Sequence, residues 1–408
     1  MSNGRTHPWV FMVLILPFGI MSGYLTVTIG WQLAKAGVSV GAIAALVAAS
    51  YLPHTWKFLW APIADTTLDH RRWYLLTGIL SAVGVVATGL VPPTQQNLPL
   101  LTAVVLVSNL AVSIVGMTTQ GMMAYGVPED EQGRAGGWFQ AGNLGGGGLG
   151  GGAGLWLAER IHHPAAPGLI LGIACALCLL ALPLVQEAPH ERPSGGIGKR
   201  IVGVGKDIWH LACSKPGLLA LILCFLPIGS GAASGLWSAV ASDWSASANT
   251  VALVTGVLSG LISAAGSLAG GWMCDRMDRK TAYMLFGVLQ ALCAVGMAAL
   301  PHTELWYAVM TSAYAFVTGL TYAGFTAFVL EAMGMGAAAT KFSLYASLSN
   351  TPIAYMTSVD GWAHGRFGAS GMLYAEAIAG AIGLAFFVLV RATISRGALG
   401  ASRLREHV

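Results

Sequence analysis

Gly271-Trp272-Met273-Cys274-Asp275-Arg276-Met277-Asp278-Arg279-Lys280 stands between two long apolar runs, and the architecture of the chain turns on it. A small residue, an acid and a cluster of cations are compressed into one short turn. The glycine is expected to let two helix ends approach closely. The acid can accept charge-assisted hydrogen bonds from a neighbouring helix end, and the cations hold the turn on the cytoplasmic side of a membrane. A degenerate copy lies earlier, Trp56-Lys57-Phe58-Leu59-Trp60-Ala61-Pro62-Ile63-Ala64-Asp65, with Arg71 and Arg72 just beyond. Each copy follows the second long apolar run of its half and precedes the third. One such loop is equally explained by topology, because any cytoplasmic loop collects Lys and Arg. Two at matching positions make an internal repeat, and repeats in membrane proteins point to transport.

Beyond this stretch, the 408 residues are 55% hydrophobic and 9% charged, against about 25% charged in soluble domains. Apolar runs at 9–31, 38–60, 73–92, 98–126, 135–158, 168–185, 216–241, 250–273, 281–300, 305–332, 341–359 and 371–391 predict an all-α integral membrane protein with 12 transmembrane helices. A span needs about 20 apolar residues, so no room remains for a soluble domain. Residues 1–185 are expected to form one six-helix bundle, 186–215 a cytoplasmic linker and 216–408 a second, pseudo-symmetric bundle. The first run, 9–28, is too long for the apolar core of a cleaved signal and reads as a span. Within the linker, Lys206–Lys215 is expected to form a short helix on the membrane surface.

The cations set orientation. Arg71, Arg72, Arg134, Arg276, Arg279 and Lys280 fall with most others in the even-numbered turns, whereas the odd-numbered turns hold Lys35, Arg160 and Arg366. That bias places both termini in the cytoplasm of a multi-pass inner (plasma) membrane protein. The net charge of +4 is spread without a basic stripe interleaved with aromatics, which argues against nucleic acid. Cys175-Ala-Leu-Cys178 sits inside an apolar run and reads as helix packing rather than a redox or zinc pair. No HExxH, GxSxG or clustered His/Asp pattern supports an enzyme, a metal site or a cofactor. The expected partners are a small-molecule substrate, protons and the lipid bilayer, met by a monomer.

Two spans are unusual. The fifth carries Gly136-Gly137, Gln140, Asn143, then Gly145–Gly148, Gly150–Gly152 and Gly154. So much glycine costs helix stability, and either intimate packing or a need to flex must offset it. The seventh breaks at Pro227-Ile228-Gly229-Ser230-Gly231 near its middle. An interrupted span at that depth marks a substrate site or hinge, or else a kinked helix.

Ionisable groups inside a bilayer are costly and are functional candidates. Lys57 precedes Asp65 by eight residues, about 12 Å along a continuous helix, too far for direct pairing. It either snorkels to the cytoplasmic surface, pairs with another span or meets an anionic substrate in the cavity. Glu376 within the twelfth span can carry a proton, and so can His54, one turn before Lys57; packing roles compete with both. Polar and aromatic residues near mid-span sketch a cavity wall: Tyr24, Thr28, Gln120, Gln140, Asn143, Ser230, Trp237, Tyr314, Tyr322, Tyr345 and Asn350. Such a lining suits a neutral, zwitterionic or amphipathic organic solute rather than a bare metal ion. Each residue alone is as well explained by a hydrogen bond between helices. Asp65, Arg71, Arg72, Arg134, Gly271, Asp275, Arg276, Arg279 and Lys280 are the candidate gating residues.

The spans together with Gly271-x-x-x-Asp275-Arg276-x-x-Arg279-Lys280 resemble the major facilitator superfamily. Phe18-Gly19-Ile20-Met21-Ser22-Gly23, Ala36-Gly37-Val38-Ser39 and Lys57-Phe58-Leu59-Trp60-Ala61-Pro62-x-x-Asp65 are similar to the opening of its muropeptide-permease branch, which includes acetyl-CoA transporters and siderophore-uptake permeases. Pro128-Glu129-Asp130-Glu131-Gln132-Gly133-Arg134 resembles the turn before its fifth span, and Ala339–Leu348 its eleventh span. The fourth span departs: the branch usually has acids in a Gln-Asp-x-x-x-Asp pattern, and Thr119-Gln120-Gly121-Met122-Met123-Ala124-Tyr125 has none. The fifth span also lacks the Gly-Pro motif of proton-driven drug antiporters. The resemblance implies a secondary transporter working by alternating access, taking up a peptidoglycan fragment, siderophore or related metabolite with protons. Export of a small amphipathic compound and a non-transporting membrane sensor are the competing readings.

Overall fold

The computed structural model describes residues 6–60, 67–127, 132–161, 163–186, 197–274, 276–333 and 344–405, and the regular elements among them are helical. The twelve spans are α1 (Trp9–Lys35), α2 (40–60), α3 (His70–Leu90), α4 (Leu98–Gly126), α5 (132–160), α6 (Ala166–Leu184), α7 (215–244), α8 (Ala248–Cys274), α9 (Arg279–Ala299), α10 (Glu304–Met333), α11 (344–367) and α12 (369–392). Their starts are written in local chemistry. Ser39, Asp69, Ser214, Ser247 and Asp278 each accept a hydrogen bond from a backbone N–H three residues on. Each such cap is worth about 1 kcal/mol.

Helices α1–α6 pack among themselves, with α1 against α5, α3 against α4 and α6, and α2 against α4. In α7–α12, α8 packs on α10, α9 on α10, and α9 on the α11–α12 stretch. The contacts joining the two bundles respect the same offset of six: α2 meets α11 and α5 meets α8, so the repeat exchanges one crossing for the other. The result is two pseudo-symmetric six-helix bundles. An even number of spans puts the start of α1 and the end of α12 at one end, called here the near end.

The glycines of α5 are used for packing. A Cβ at Gly142, Gly146 or Gly150 would collide with the carbonyls of Met12, Leu16 and Ile20 respectively, three positions spaced four residues apart on each helix. Residues four apart share a helix face, so the backbones of α1 and α5 interlock along their length. Both helices widen into π-turns, at Tyr24–Ile29 and Leu149–Ala153. There the Thr28 hydroxyl donates to the carbonyls of Gly150 and Gly151 at 3.0 and 3.2 Å.

Three differences from the expected outline have physical causes. The linker helix spans Ile197–Cys213 rather than starting at Lys206, and Ser214 then caps α7. Helix α11 continues through Asp360 to residue 367, because Gly361 and Gly365 are tolerated within it. Chain reversal waits for Gly368, whose φ of 70° suits glycine. Finally, Gly271 does not mediate close helix approach, since a Cβ there meets nothing within 4 Å. The close contact of α8 with α10 is made by Gly266 and Gly270, next to the backbones of Phe316 and Leu320. Gly271 is one residue, or about 100°, around the helix from that face.

Candidate functional site

Helix α7 does not merely kink. Its first segment, Lys215–Phe225, stops before Pro227; Gly229 and Gly231 then take left-handed φ values of 60° and 68°. A 3₁₀ turn, Ala232–Leu236, resumes the span. Proline lacks the donor that would continue the helix, and two residues with positive φ re-aim the chain. Backbone carbonyls freed inside a membrane need partners, and two tyrosines supply them. Tyr355 of α11 donates to Phe225 O at 2.7 Å, and Tyr283 of α9 donates to Ile228 O at 2.9 Å.

Around this break the structure gathers residues from three other spans. Tyr314 of α10 donates to Oε1 of Glu376 on α12 at 2.5 Å. The Ser230 hydroxyl and the N–H groups of Ala232 and Ala233 face the same carboxyl. Trp237 stands edge-on to the Tyr314 ring, with centroids 5.1 Å apart. Gln290 of α9 uses its amide N–H on Thr318 Oγ1 at 3.4 Å and leaves its oxygen without a partner among the described residues. A small cavity is lined by Pro227, Ser230, Gln290, Glu376 and their glycine neighbours. A larger cleft lies on its near-end side, lined among others by Ser230, Tyr283, Tyr322, Phe325 and Asn350. Gly229 and Ser230 belong to both walls, so the broken backbone separates cleft from cavity.

Of the expected cavity residues, Ser230, Trp237 and Tyr314 are thus brought together around Glu376, the expected proton carrier, and Tyr322 and Asn350 line the adjoining cleft. Others serve packing. Tyr24 is buried with its hydroxyl beside Gly89 and Gly168, and Thr28 ties α1 to α5. Tyr345 is buried in an apolar cluster with Leu223, Cys224, Phe328 and Phe387. On α5, Asn143 donates to the exposed Gln140 side chain at 3.4 Å. Gln120 is half-buried on α4. His54 is buried, with Nε2 3.2 Å from Asn109 Oδ1 and its ring edge-on to Phe18. Half-buried Lys57 lies close enough to act on that ring electrostatically.

Among the gating candidates, Arg71 donates to Leu182 O at 3.4 Å, and Arg72 pairs with Asp69 at 3.3 Å. Arg276 lies over the Trp272 ring and donates to Trp272 O, Arg279 donates to Ala327 O, and Lys280 sits 6.0 Å from the Phe328 ring. Asp65, Asp275 and the side chain of Arg134 fall outside the described residues. In the same turn Asp278 accepts from the Thr281 N–H and hydroxyl at 2.9 and 2.7 Å and lies 3.9 Å from Arg391. The Thr281 hydrogen bonds, aided by Arg391 and Lys280, hold its carboxyl below the usual range.

Sequence reading missed Gln290 and Asp360. Asp360 is fully buried in α11, neither carboxyl oxygen has a hydrogen-bond partner among the described residues, and the charge of Glu376 acts on it. An expected span end at residue 359 hid it by one position. The run Thr357-Ser358-Val359-Asp360 carries no turn residue before the acid, which was the available signal.

Two helical bundles with an internal repeat, the second holding a broken span and a cleft of aromatic, apolar and a few polar residues, are the frame of a membrane transporter. The chain belongs to the Major Facilitator Superfamily: the family model of that description matches residues 10–357. It is similar to the anhydromuropeptide permease of Escherichia coli (strain K12), 24% identical over 355 residues, covering 84% of this chain and 71% of that one. The fold matches a POT family transporter solved in complex with a thioalcohol-conjugated peptide, at TM-score 0.72, 13% identity, and 94% and 96% of the two chains. It matches equally the partially occluded, inward-open xylose transporter XylE of E. coli, at TM-score 0.72, 12% identity, and 94% and 97% coverage.

Proposed function

We propose that this protein is an inner (plasma) membrane uptake system, working by alternating access, that brings in a peptidoglycan fragment or similar amphipathic metabolite together with protons. The observation that carries the reading is the cleft beside the α7 break, with aromatic Tyr322 and Phe325 and hydrogen-bonding Ser230 and Asn350 on one wall. Aromatic surface with a few placed polar groups fits a sugar–peptide solute, and the curated relative is a permease for anhydromuropeptides. Ser230, Tyr314, Tyr322 and Asn350 are the proposed substrate contacts, and Gln140, Asn143 and Lys57 the proposed contribution of the first bundle. Glu376 is the proposed proton carrier and His54 a second.

Both termini are placed in the cytoplasm by the cation bias, which makes the far end external. Contacts at that end support an externally closed state: Ser238 of α7 hydrogen-bonds to Thr26 O of α1, and Gly41 of α2 lies against Gly361 of α11. The cationic turns holding Arg71, Arg72, Arg276, Arg279 and Lys280 then lie at the cytoplasmic rim, where bundles rocking past one another would remake their bonds.

Counterflow of labelled anhydromuropeptide in proteoliposomes tests the reading. Exchange by the wild type, with Tyr322→Ala and Asn350→Ala each weakening apparent affinity by about tenfold, roughly 1.4 kcal/mol, is the expected result. Binding without exchange would instead describe a sensor, and movement confined to efflux an exporter.

A further inference from the structure

Most of the spare hydrogen-bonding capacity buried around the α7 break is acceptor capacity, the Tyr345 hydroxyl in the apolar cluster with Ile228 being a donor without a partner among the described residues. Gln290 Oε1, Glu376 Oε2 and both oxygens of Asp360 lack partners among the described residues, and all four are acceptors. Their residues are 3%, 6% and 0% exposed. Neither carboxyl has an ion-pair partner among the described residues. The groups facing Glu376 are Ser230 and the Ala232 and Ala233 N–H groups from α7, Cys293 from α9, Tyr314 from α10 and Asp360 from α11. Asp360 is faced by Glu376 and by Tyr314. No cation appears among these groups. Burying one unpaired carboxylate costs several kcal/mol, and two within electrostatic reach cost more. Such an arrangement needs protons, and protons convert the surplus acceptors into donors for one another.

We infer that Asp360 and Glu376 form a two-carboxyl proton store, Asp360 holding its proton out of reach of solvent while Glu376 exchanges one through the cavity at the α7 break. The inference rests on the proposed proton-coupled reading and extends it to a second residue and a route. Glu376 and Gln290 line the cavity, and Gly229 and Ser230 separate it from the substrate cleft. When Glu376 is ionised, its carboxylate accepts from Tyr314 and draws on the Ser230 hydroxyl and the Ala232 and Ala233 N–H groups. This holds the 230–233 segment against α12. When it binds a proton, one oxygen becomes a donor, for which the unpartnered Gln290 Oε1 is the acceptor in the same cavity, and the hold on α7 weakens. The proton is taken up whole and released whole, with no other bond changed. Solute in the cleft touches the same Ser230, so loading and protonation bear on one piece of backbone.

Infrared spectroscopy of the purified protein reads the store without any solute. The wild type at neutral pH should show the carbonyl stretch of a protonated carboxylic acid, shifted in heavy water. Asp360→Asn should lose most of that band, and Glu376→Gln should leave it present but no longer titrating. Tyr314→Phe, which removes one donor at nearly constant volume, should move the titration of the exchangeable part to higher pH. A band absent from the wild type, or unchanged in both carboxyl variants, overturns the inference. So does stabilisation of the wild type by Na⁺ that Asp360→Asn abolishes, because the oxygens would then serve a metal cation. In proteoliposomes, Asp360→Asn should retain anhydromuropeptide counterflow but lose accumulation driven by a gradient of one pH unit, on the order of tenfold for one proton per solute. Failure of wild-type counterflow would count against the proposed substrate, while the infrared bands would still decide for or against the carboxyl pair.

Discussion

Replacing Gly256 with valine should push the two bundles apart at the far end. In the structure a Cβ at Gly256 would lie 2.5 Å from the backbone nitrogen of Gly152 and 2.6 Å from its Cα, in the opposite bundle. The obstacles are backbone atoms, so no side-chain rotation relieves the clash. Overpacking of this kind costs about 1–3 kcal/mol. When the bundles separate here, the cost vanishes, so nearly all of it falls on the state with the far end closed. At about 1.4 kcal/mol per tenfold, the equilibrium should shift by roughly 5- to 150-fold toward the open far end. Spin labels at Ala36 and Arg366, exposed residues of opposite bundles, in a background without the six native cysteines, report the separation by electron–electron distance measurement. The distribution should move to longer distances in Gly256→Val, with solute exchange slowed because the closed state is rarely reached. An unchanged distribution in a folded variant would refute the reasoning, since α5 and α8 would then not form a closing contact.

The α1–α5 interlock should be just as selective. Gly146→Ala, which meets Leu16 O and the Gly19 backbone, should lower the melting temperature in detergent, whereas Gly145→Ala, with open space around it, should be neutral or stabilise by up to about 1 kcal/mol through helix propensity. Tyr283→Phe should leave Ile228 O buried without its donor and destabilise by about 1–3 kcal/mol in the same assay. Asp278, with its carboxyl held below the usual range by Thr281, contributes stability at neutral pH. That contribution should disappear as pH falls through and below the ordinary carboxylate range, because the unfolded state takes up the proton first. Asp278→Asn should flatten that part of the pH–stability curve.

The membrane class, the order of the spans and the repeat were legible in the amino acids alone, because they follow from apolar length and from turn chemistry that acts locally. Ser39, Asp69, Ser214, Ser247 and Asp278 stand at span starts, and Pro227 with its flanking glycines announces the break in α7 wherever that span comes to lie. The excess of glycine in α5 was equally visible, but its use was not. That Gly146 meets Leu16 while Gly145 meets nothing depends on how two helices are rotated against each other, which the packing of the whole bundle sets. Gly271 failed for the same reason, being one residue off the face that α10 covers. The site divides likewise. Glu376 was legible as an acid inside a span, but Tyr314, Gln290, Ser230 and Asp360 reach it from four other spans, α10, α9, α7 and α11. Side chains so distant along the chain leave no spacing to read. Only folding takes them out of water together, and that shared burial turns isolated polar residues into one site.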